Sequence, residues 1–426
     1  MDVMILLGSF IFLLIFKVPI ALALVVSSLV TGWYLDIPIP SLLERMAGGL
    51  DSFTLLAIPF FILAGEIMNE GGISRRLINL SNLIIGKIRG GLALVNITAS
   101  TFFGGISGSA VADVSSVGSV MIPMMRKKGY DQAYSVSVTI SSAAQGVMLP
   151  PSHNMIIYAT AAGGLSISSL FMGGVLPGLL LAGVLLILSY VIAVKRNYPV
   201  SEPMKKEDIP KVLREGILGL LTAVIIIGGI VSGIFTATES AAIGAVYAFI
   251  ITFFVYRDVP ISHFRIVLQR TFKTLSMVLF LISASSGFGW LLAFLQVPDL
   301  VAQSLIVLSP NDIVTMLLIN LILLALGTVM DMAPLILIAT PIFLPIVMQI
   351  GMDPVHFGVM LILNLSIGLI TPPVGAALFV GSAIGEIPME KVLRTLMPFY
   401  AAMVVVLMAV TFWGDFVMWL PGVVGN

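Results

Sequence analysis

The chain has 426 residues, of which 59% are hydrophobic and only 10% are charged. Soluble globular chains average about 45–50% apolar and about 25% charged residues, so this composition excludes a soluble enzyme and a disordered protein. The 21 basic and 21 acidic residues cancel, which excludes a nucleic-acid binder that relies on a basic patch. The absence of cysteine removes disulfides, thiolate metal sites and cysteine nucleophiles. The sequence therefore predicts an integral membrane protein.

Apolar segments as long as a membrane-spanning helix, or nearly so, recur along the chain. A transmembrane helix needs about 20 mostly apolar residues. Short alternating segments, which are typical of outer-membrane barrels, are absent. The pattern predicts an all-α polytopic membrane protein. The predicted spans are 3–16, 18–35, 53–70, 131–160, 166–194, 215–234, 238–256, 274–296, 354–385 and 398–420.

Two further apolar regions, 91–125 and 311–350, are each long enough for almost two crossings. Small or turn-forming residues lie near the middle of each. The first region contains GGISGS at 104–109, and the second contains Gly327-Thr328 followed by DMAP at 331–334. We interpret both as re-entrant helical hairpins. Non-helical backbone at membrane depth is tolerated only where protein or a water-filled cavity surrounds it.

The basic residues predict the orientation in the membrane. If each hairpin enters and leaves on one side, every Lys and Arg except Arg45 falls on the same face. The positive-inside rule assigns that face to the cytoplasm, so both termini are predicted to be periplasmic. Between Lys273 and Lys391 there is no Lys or Arg. The first hairpin is therefore predicted to open from the cytoplasm and the second from the outside.

The two hairpins and the helices after them are related in sequence. Asp113 matches Asp331 at an offset of 218, whereas Gly146 matches Gly368 at an offset of 222. We attribute the difference to a four-residue insertion at the end of a hairpin. An odd number of crossings in the first half inverts the second, so the sequence predicts an inverted repeat of the kind that recurs in secondary transporters.

Each half contains a helix that is predicted to be broken, over 131–160 and 354–385. A Pro-Pro pair removes two amide donors and clashes with the preceding turn, and Gly146 and Gly368 lie four residues before such pairs. Unwinding would free backbone carbonyls, which are costly in hydrocarbon unless something binds them. Sodium is a suitable occupant because it takes oxygen ligands. The carbonyls expected to be free include those of Gly146, Met148, Gly368 and Ile370.

The hairpin tips complete each expected site. Asp113 and Asp331 follow the tips, and each carboxylate either contacts sodium or caps a helix. Helix N-termini at the tips offer amides to an anionic substrate, while helix–helix hydrogen bonding is the alternative role for the polar residues. The expected sodium-binding residues are Gly105, Ser107, Ser109, Asp113, Gly146, Met148, Pro150, Gly327, Met330, Asp331, Gly368, Ile370 and Thr371. The expected substrate-binding residues are Ser107, Ser109, Asn154, Thr328 and Asn364.

Several segments together resemble the large membrane subunit of tripartite ATP-independent periplasmic (TRAP) transporters, of the DctM/SiaM type. They are PFFILAGEIMNEGG at 59–72, FFGGISGSAVADVSSVGSVMIPMM at 102–125, GIFTATESAAIGA at 233–245, and the LPPS and TPPVG turns. The resemblance covers essentially the whole chain. Ala237 stands where the family usually has proline, which concerns a turn only.

This resemblance implies sodium-driven uptake of an organic acid, often sialic acid or a C4-dicarboxylate, across the bacterial inner membrane. It implies two protein partners, a periplasmic substrate-binding protein and a separate small four-helix membrane subunit, together with membrane lipid. It also implies a fold similar to the divalent anion–sodium symporters (DASS), which move as an elevator. No cofactor is expected, and the only metal expected is sodium, as the coupling ion.

The same analogy predicts a division of the chain into scaffold and transport parts. The expected parts are scaffold helices 1–72, a cytoplasmic arm helix 73–90, the first half of the transport domain 91–194, a cytoplasmic linker 195–214, scaffold helices 215–296, an outer arm 297–310, and the second half of the transport domain 311–420.

Two other classes of transport protein remain alternatives, a stand-alone divalent-anion/sodium symporter and an ion channel. An intramembrane enzyme is not indicated, because the sequence contains no HExxH, no GxSxG and no Walker motif. Sialic acid is preferred among the organic acids on the resemblance alone.

Overall fold

The computed structural model describes residues 1–200, 206–308 and 311–424. Helices make up the regular structure of these ranges, with an isolated bridge between Arg89 and Val200. Six helical segments of the described chain are long and apolar enough to cross a membrane. These findings confirm the predicted all-α membrane protein. Predicted linker residues 201–205 and outer-arm residues 309–310 lie outside the described ranges.

The helices in chain order are α1 (Asp2–Ile15), α2 (Ile20–Tyr34), α3 (Ile39–Gly48), α4 (Ala57–Glu70), α5 (Ile73–Ile85), α6 (Gly91–Ser107), α7 (Ala110–Asp113), α8 (Ser119–Lys127), α9 (Gln132–Gly146), α10 (His153–Ala161), α11 (Ile167–Lys195), α12 (Ile209–Val231), α13 (Ala237–Ile250), α14 (Phe264–Phe294), α15 (Val297–Leu308), α16 (Asp312–Gly327), α17 (Met332–Gln349), α18 (Pro354–Gly368), α19 (Ala376–Ile384), α20 (Met389–Phe412) and α21 (Gly414–Val424). Short 3₁₀ or π turns lie at Phe53–Leu56, Val114–Gly118, Lys206–Asp208, Ile251–Tyr256 and Ile261–His263.

The internal repeat is visible in the helix boundaries, several of which are related by one offset. Helix α9 begins at Gln132 and α18 at Pro354, a difference of 222 residues. The same offset relates the ends of α8 and α17 and the starts of α11 and α20. The predicted four-residue insertion at the end of a hairpin is therefore wrong, since the returning arms of the hairpins follow the same offset as the helices after them.

Both predicted breaks are present. Helix α9 ends at Gly146 and α10 begins at His153, while α18 ends at Gly368 and α19 begins at Ala376. The X-Pro bond within each Pro-Pro pair is cis. The sequence prediction of a break four residues before a Pro-Pro pair is therefore confirmed in both halves.

The helices that lead into the two breaks lie inside the protein. Every residue of α9 from Ala133 to Gly146 is buried, and so is every residue of α18 from Val355 to Gly368. Helix α9 packs against α6, α11 and α20, while α18 packs against α16, α11 and α20. The unwound backbone of the first break is buried throughout residues 147–152, whereas Pro373 and Val374 of the second break are exposed. The first break therefore meets the condition under which irregular backbone is tolerated at membrane depth.

The two helical hairpins are also present, but their returning arms differ. In the first, α6 ends at Ser107 and the chain turns through Gly108, whose φ of 62° is left-handed. The returning arm then consists of α7, the π turn Val114–Gly118 and α8. In the second hairpin the returning arm is the single helix α17. Their re-entrant placement in a membrane stays a prediction.

The remaining helices form a second layer around the hairpins. Helix α13 packs on α4, and α14 packs on α2, α3, α4 and the returning arm α17. The sequence predicted a span that starts at residue 274, whereas the structure has one continuous helix from Phe264 to Phe294. Neither proline nor glycine lies between Phe264 and residue 274, so the helix continues through the polar residues at its start.

Several basic loops contact one another, as the charge bias predicts for loops on one face. Arg76 Nη1 lies 2.6 Å from a carboxylate oxygen of Asp258, and Arg126 lies 3.5 Å from Glu386. Arg45 is the basic residue predicted to lie on the opposite face. Its guanidinium group lies over the Trp290 ring, 5.5 Å from the ring centroid. The assignment of the basic face to the cytoplasm stays a prediction.

Candidate functional site

Glycines bring the first arm of each hairpin against a helix break. A Cβ placed on Gly104 would lie 2.3 Å from the Cα of Gly146. In the second half, a Cβ placed on Gly368 would lie 2.8 Å from the Cα of Gly327. Side chains do not fit at these points, because the neighbouring atoms are backbone. Small residues permit such close helix crossings inside membranes, and here they place the end of each hairpin arm beside unwound backbone.

The first break has a buried carboxylate beside it. The side chain of Asp113 is fully buried and has no ion pair among the described residues. The side chain of Ser100 lies beside this carboxyl group and interacts with it. A Cβ built on Gly146 would be 2.8 Å from the Ser100 carbonyl oxygen and 3.5 Å from Asp113 Oδ2. Carboxylate, hydroxyl and carbonyl oxygens therefore converge beside the first break.

Ser100 was not predicted as a site residue from the sequence. Its position one helical turn before Gly104 was a usable signal, because it places Ser100 on the same side of α6 as Gly104. It also left open whether Asp113 is a helix cap. The structure answers this, because Ser109 is the N-cap of α7 and its hydroxyl accepts a hydrogen bond from the Ala112 amide at 3.3 Å. Asp113 lies at the end of that short helix, so the capping interpretation of Asp113 is wrong.

The two aspartates are not equivalent. At the offset of 222 that relates the returning arms, the counterpart of Asp113 is Leu335, while Asp331 corresponds to Ser109. Asp331 is the N-cap residue of α17, although its side chain makes no capping hydrogen bond. It is exposed to a cavity, whereas Asp113 is fully buried. The predicted symmetry of the two carboxylates is therefore wrong, because it followed from the incorrect offset.

Most of the carbonyls expected to be free have a donor. The Gly146 carbonyl accepts from the Leu149 amide at 3.1 Å, and the Gly368 carbonyl accepts from the Thr371 amide at 2.9 Å. The Ile370 carbonyl accepts from a tyrosine hydroxyl. The prediction of unpartnered carbonyls is therefore wrong at these three residues, because the chain closes a tight turn after each break. A carbonyl has two lone pairs, so each retains one for a further ligand.

The other expected sodium ligands lie near these turns. The carbonyls of Gly105 and Gly327 accept no hydrogen bond from the described residues, and a Cβ on Gly105 would lie 2.9 Å from the Pro150 carbonyl. The Met148 carbonyl lies 2.8 Å from a Cβ built on a glycine of α11. Met330 is buried, and its amide donates to the Leu326 carbonyl. The arm ends thus supply the unpartnered carbonyls that were predicted for the breaks.

A cavity of about 560 Å³ lies between the hairpin tips and helices α4 and α14. Three of the expected substrate-binding residues line it, namely Ser107, Ser109 and Asn154. The Asn154 side-chain amide donates to the Gly108 carbonyl at 3.2 Å, which holds it against the first tip. The cavity is thus bounded on one side by both tips and on the other by helices that the sequence assigned to a scaffold.

The structure does not bring Thr328 or Asn364 to this cavity. Thr328 is the residue after α16, and its hydroxyl donates to the Ala325 carbonyl at 2.8 Å. Asn364 is fully buried in α18, where its amide donates to both the backbone and the side-chain oxygen of Asn320 at 2.9 Å. The alternative of helix–helix hydrogen bonding therefore describes Asn364.

Polar residues of the facing helices also line the cavity, and sequence analysis missed them as site residues. Glu66 and Asn69 lie three residues apart on one face of α4, and Arg270 and Thr274 lie four apart on α14. Arg270 is paired with Glu70 at 2.7 Å. The helical spacing was a usable signal. No group of three or more His, Cys, Asp or Glu that could hold a metal ion occurs in the described ranges.

Comparisons with known proteins agree on one family. The family model described as "Tripartite ATP-independent periplasmic transporter, DctM component" matches residues 7–416. The chain is 41% identical to the sialic acid TRAP transporter large permease protein SiaM of Vibrio cholerae, over 89% of this chain and 88% of that protein. It is 40% identical to the C4-dicarboxylate TRAP transporter large permease protein DctM of Pseudomonas aeruginosa, over 85% and 84% of the two chains.

Among solved structures, the fold is similar to the crystal structure of the YdaH transporter of Alcanivorax borkumensis. The TM-score is 0.61, and the match covers 89% of this chain and 88% of that chain at 14% sequence identity. Identity at this level carries information about the fold alone.

Proposed function

The chain belongs to the DctM component family of tripartite ATP-independent periplasmic (TRAP) transporters and is a large permease subunit; from this premise we propose that it imports an organic acid by sodium symport. It does so in the bacterial inner membrane, together with a small membrane subunit and a periplasmic binding protein that delivers the acid. Both termini are periplasmic in this arrangement.

One observation carries the sodium coupling, the fully buried carboxylate of Asp113 beside the first break, which has no ion pair among the described residues. An ionised carboxylate buried without a partner is strongly destabilising. A sodium ion in contact with Asp113 removes that cost. Hydroxyl and carbonyl oxygens, which hard cations prefer, come from Ser100 and from the turn after Gly146. Since the hairpin tip follows the same arm, ion binding there organises one wall of the cavity.

The cavity supports an acid with neutral polar groups as the transported molecule. Its polar lining combines hydroxyls and amides of the first tip with Arg270 and Glu66 on the opposite wall and Asp331 at the second tip. The volume of about 560 Å³ falls in the usual range of small-molecule sites. The relatives are named for sialic acid and for C4-dicarboxylates, and we retain sialic acid as the preferred candidate within the class of organic acids.

The placement of the cavity supports an elevator movement. Both tips lie on one wall, and α4 and α14 form the other. If the parts that carry the tips slide against these helices, the cavity changes the side on which it opens. In the proposed movement the two breaks keep their shape and move together with the tips.

Reconstitution tests the proposal. Proteoliposomes containing both membrane subunits are supplied with the binding protein and labelled N-acetylneuraminate or succinate, in sodium or in potassium. Uptake should require an inward sodium gradient, and unlabelled acid inside the vesicles should drive counterflow, which a channel does not show. Equal uptake in potassium with a proton gradient would refute sodium coupling. Uptake by this chain without the binding protein would instead support the stand-alone symporter.

A further inference from the structure

A second polar cavity adjoins the cavity at the tips. It has a volume of about 600 Å³ and shares Asn69 and Ser115 with the first cavity. At this junction the Ser116 hydroxyl is hydrogen-bonded to the side-chain oxygen of Asn69. The lining continues to Arg75 and Asp258, which belong to loops on the predicted cytoplasmic face. The two cavities together form a polar passage from the tips to that face.

The π turn of the first hairpin supplies one wall of this passage. Ser115, Ser116 and Ser119 line it, whereas Val114 and Val117 of the same turn are buried. A π turn is wider than an α-helical turn and occurs frequently at functional sites. It separates an apolar face, which packs inside the protein, from a hydroxyl-bearing face that is directed at α4.

The second hairpin provides an internal comparison, because it has the same fold but different side chains. At the offset of 222, the counterparts of the three serines are Leu337, Ile338 and Pro341. They lie in the continuous helix α17, which packs on α14. A hairpin arm of this fold therefore forms without hydroxyls. In the first arm the Ser115 and Ser119 hydroxyls donate to the backbone carbonyls of Val111 and Ser116, and their position gives the passage a polar wall that the second arm does not have.

The passage carries one charge that its neighbours do not compensate. The carboxylate of Glu70 is paired with Arg270 at 2.7 Å, and that of Asp258 is paired with Arg76 at 2.6 Å. Arg75 is exposed and has no ion pair in the part of the chain that the structure describes.

We propose that Arg75 and the serines of the first hairpin form an exit passage that attracts the anionic substrate toward the cytoplasm. The proposal rests on the proposed function for the identity of the anion and for the orientation. The serine hydroxyls make this wall of the passage polar without offering a tight anion site, and the arginine draws the anion away from the tips. Such a weak subsite speeds release, whereas a second tight site would retain the substrate.

Reaction of single cysteines with charged reagents tests the passage, since the chain contains no native cysteine. Ser119→Cys and Ser115→Cys are introduced separately, and the transporter complex is studied in inside-out vesicles. The probes are the anionic 2-sulfonatoethyl and the cationic 2-(trimethylammonium)ethyl methanethiosulfonates. The reaction rate of each probe with the cysteine is divided by the rate of the same probe with a free thiol in solution. The ratio of the normalised rates of the anionic and cationic probes then reports the local electrostatic potential.

We expect the normalised anion-to-cation ratio to exceed one and to fall about threefold when Arg75→Gln is added, as for one charge several ångströms away in screened water. Lys87→Gln is the matched control. It removes the same charge from an exposed residue of the same predicted face that does not line the passage, so the ratio should not change. No reaction at either cysteine, or a ratio that Arg75→Gln leaves unchanged, would overturn the proposal.

The outcome is independent of the sodium test. The labelling rates require neither a transported acid nor a sodium gradient, so a failure of sodium coupling would leave a measured anion preference intact. Conversely, sodium-driven uptake without an effect of Arg75→Gln on labelling would retain the proposed function and remove the exit passage.

Discussion

Asp113→Asn should abolish the stabilisation of the protein by sodium while leaving the fold intact. The substitution keeps the size of the side chain and removes its charge. In the structure this carboxyl group is fully buried and has no ion pair in the described ranges. The folded protein without sodium must therefore either hold a desolvated charge or protonate the carboxyl group, and the amide removes both costs. We expect Asp113→Asn to be at least as stable as the wild type in potassium.

The size of the effect follows from mass action. A ligand that binds only the folded state at 100 times its dissociation constant stabilises that state by about 2.7 kcal/mol. Without the carboxylate, sodium loses its only charged partner beside Gly146 and keeps only neutral oxygens. A loss of a buried charge partner typically costs about 3–5 kcal/mol, which exceeds the whole of the stabilisation. The sodium-dependent increase in the stability of the folded protein should therefore disappear rather than merely decline.

Thermal unfolding of the purified protein in detergent measures this, with tryptophan fluorescence as the signal and matched sodium and potassium buffers. The wild type should unfold at a higher temperature in sodium, and Asp113→Asn should show no difference between the two ions. Asp312→Asn is the control, because Asp312 is exposed in the first turn of α16 and should retain the full response. If Asp113→Asn responds to sodium as the wild type does, the carboxylate is not an ion ligand.

Three further predictions concern packing, partners and movement. Gly368→Ala should lower the free energy of unfolding by about 1–3 kcal/mol, since the new methyl group would meet backbone at 2.7–2.8 Å, whereas Gly183→Ala, with no atom within 4 Å, should cost nothing in the same denaturation assay. Arg45→Glu should slow uptake at limiting binding protein and recover at high concentration, because a rim charge acts mainly on association; unchanged uptake at every concentration would remove Arg45 from the interface. Ser109→Cys should be labelled by an impermeant thiol reagent from either side, depending on sodium and substrate, whereas Asp51→Cys in the exposed outer loop should be labelled from outside only. Labelling of Ser109→Cys from one side under all conditions in a protein that transports would refute the moving tip.

The helix breaks were predictable because their cause is local. A Pro-Pro pair lacks two amide donors and excludes the preceding turn of helix, whatever surrounds it. Gly146 and Gly368 end their helices as that effect requires. The glycine crossings were less predictable. The fact that Gly104 meets Gly146 depends on how two helices pack, and the sequence shows only that both residues are small.

The register of the hairpins was not predictable from matched residues. Asp113 and Asp331 are identical residues near two tips, and this coincidence suggested an offset that the helix boundaries exclude. Asn364 was misassigned for a related reason. A polar residue in a membrane helix faces either a cavity or a polar partner on a neighbouring helix, and the choice of Asn320 as its partner is a property of tertiary packing.

The difference between the two aspartates gives the proposed coupling a physical basis. In the proposed coupling, sodium at the first break neutralises a carboxylate that is sealed inside the protein, so this ion would mainly stabilise the tip. At the second, Asp331 is exposed to the cavity proposed for the anionic substrate, and two negative charges in one cavity repel each other. A sodium ion bound by the Gly327 carbonyl beside this tip would offset that repulsion. Ion and substrate would then favour each other's binding by the same free energy. The repeat supplies two similar breaks, and under this proposal the divergence of their side chains gives the first a structural ion and makes the second a sensor of the substrate's charge.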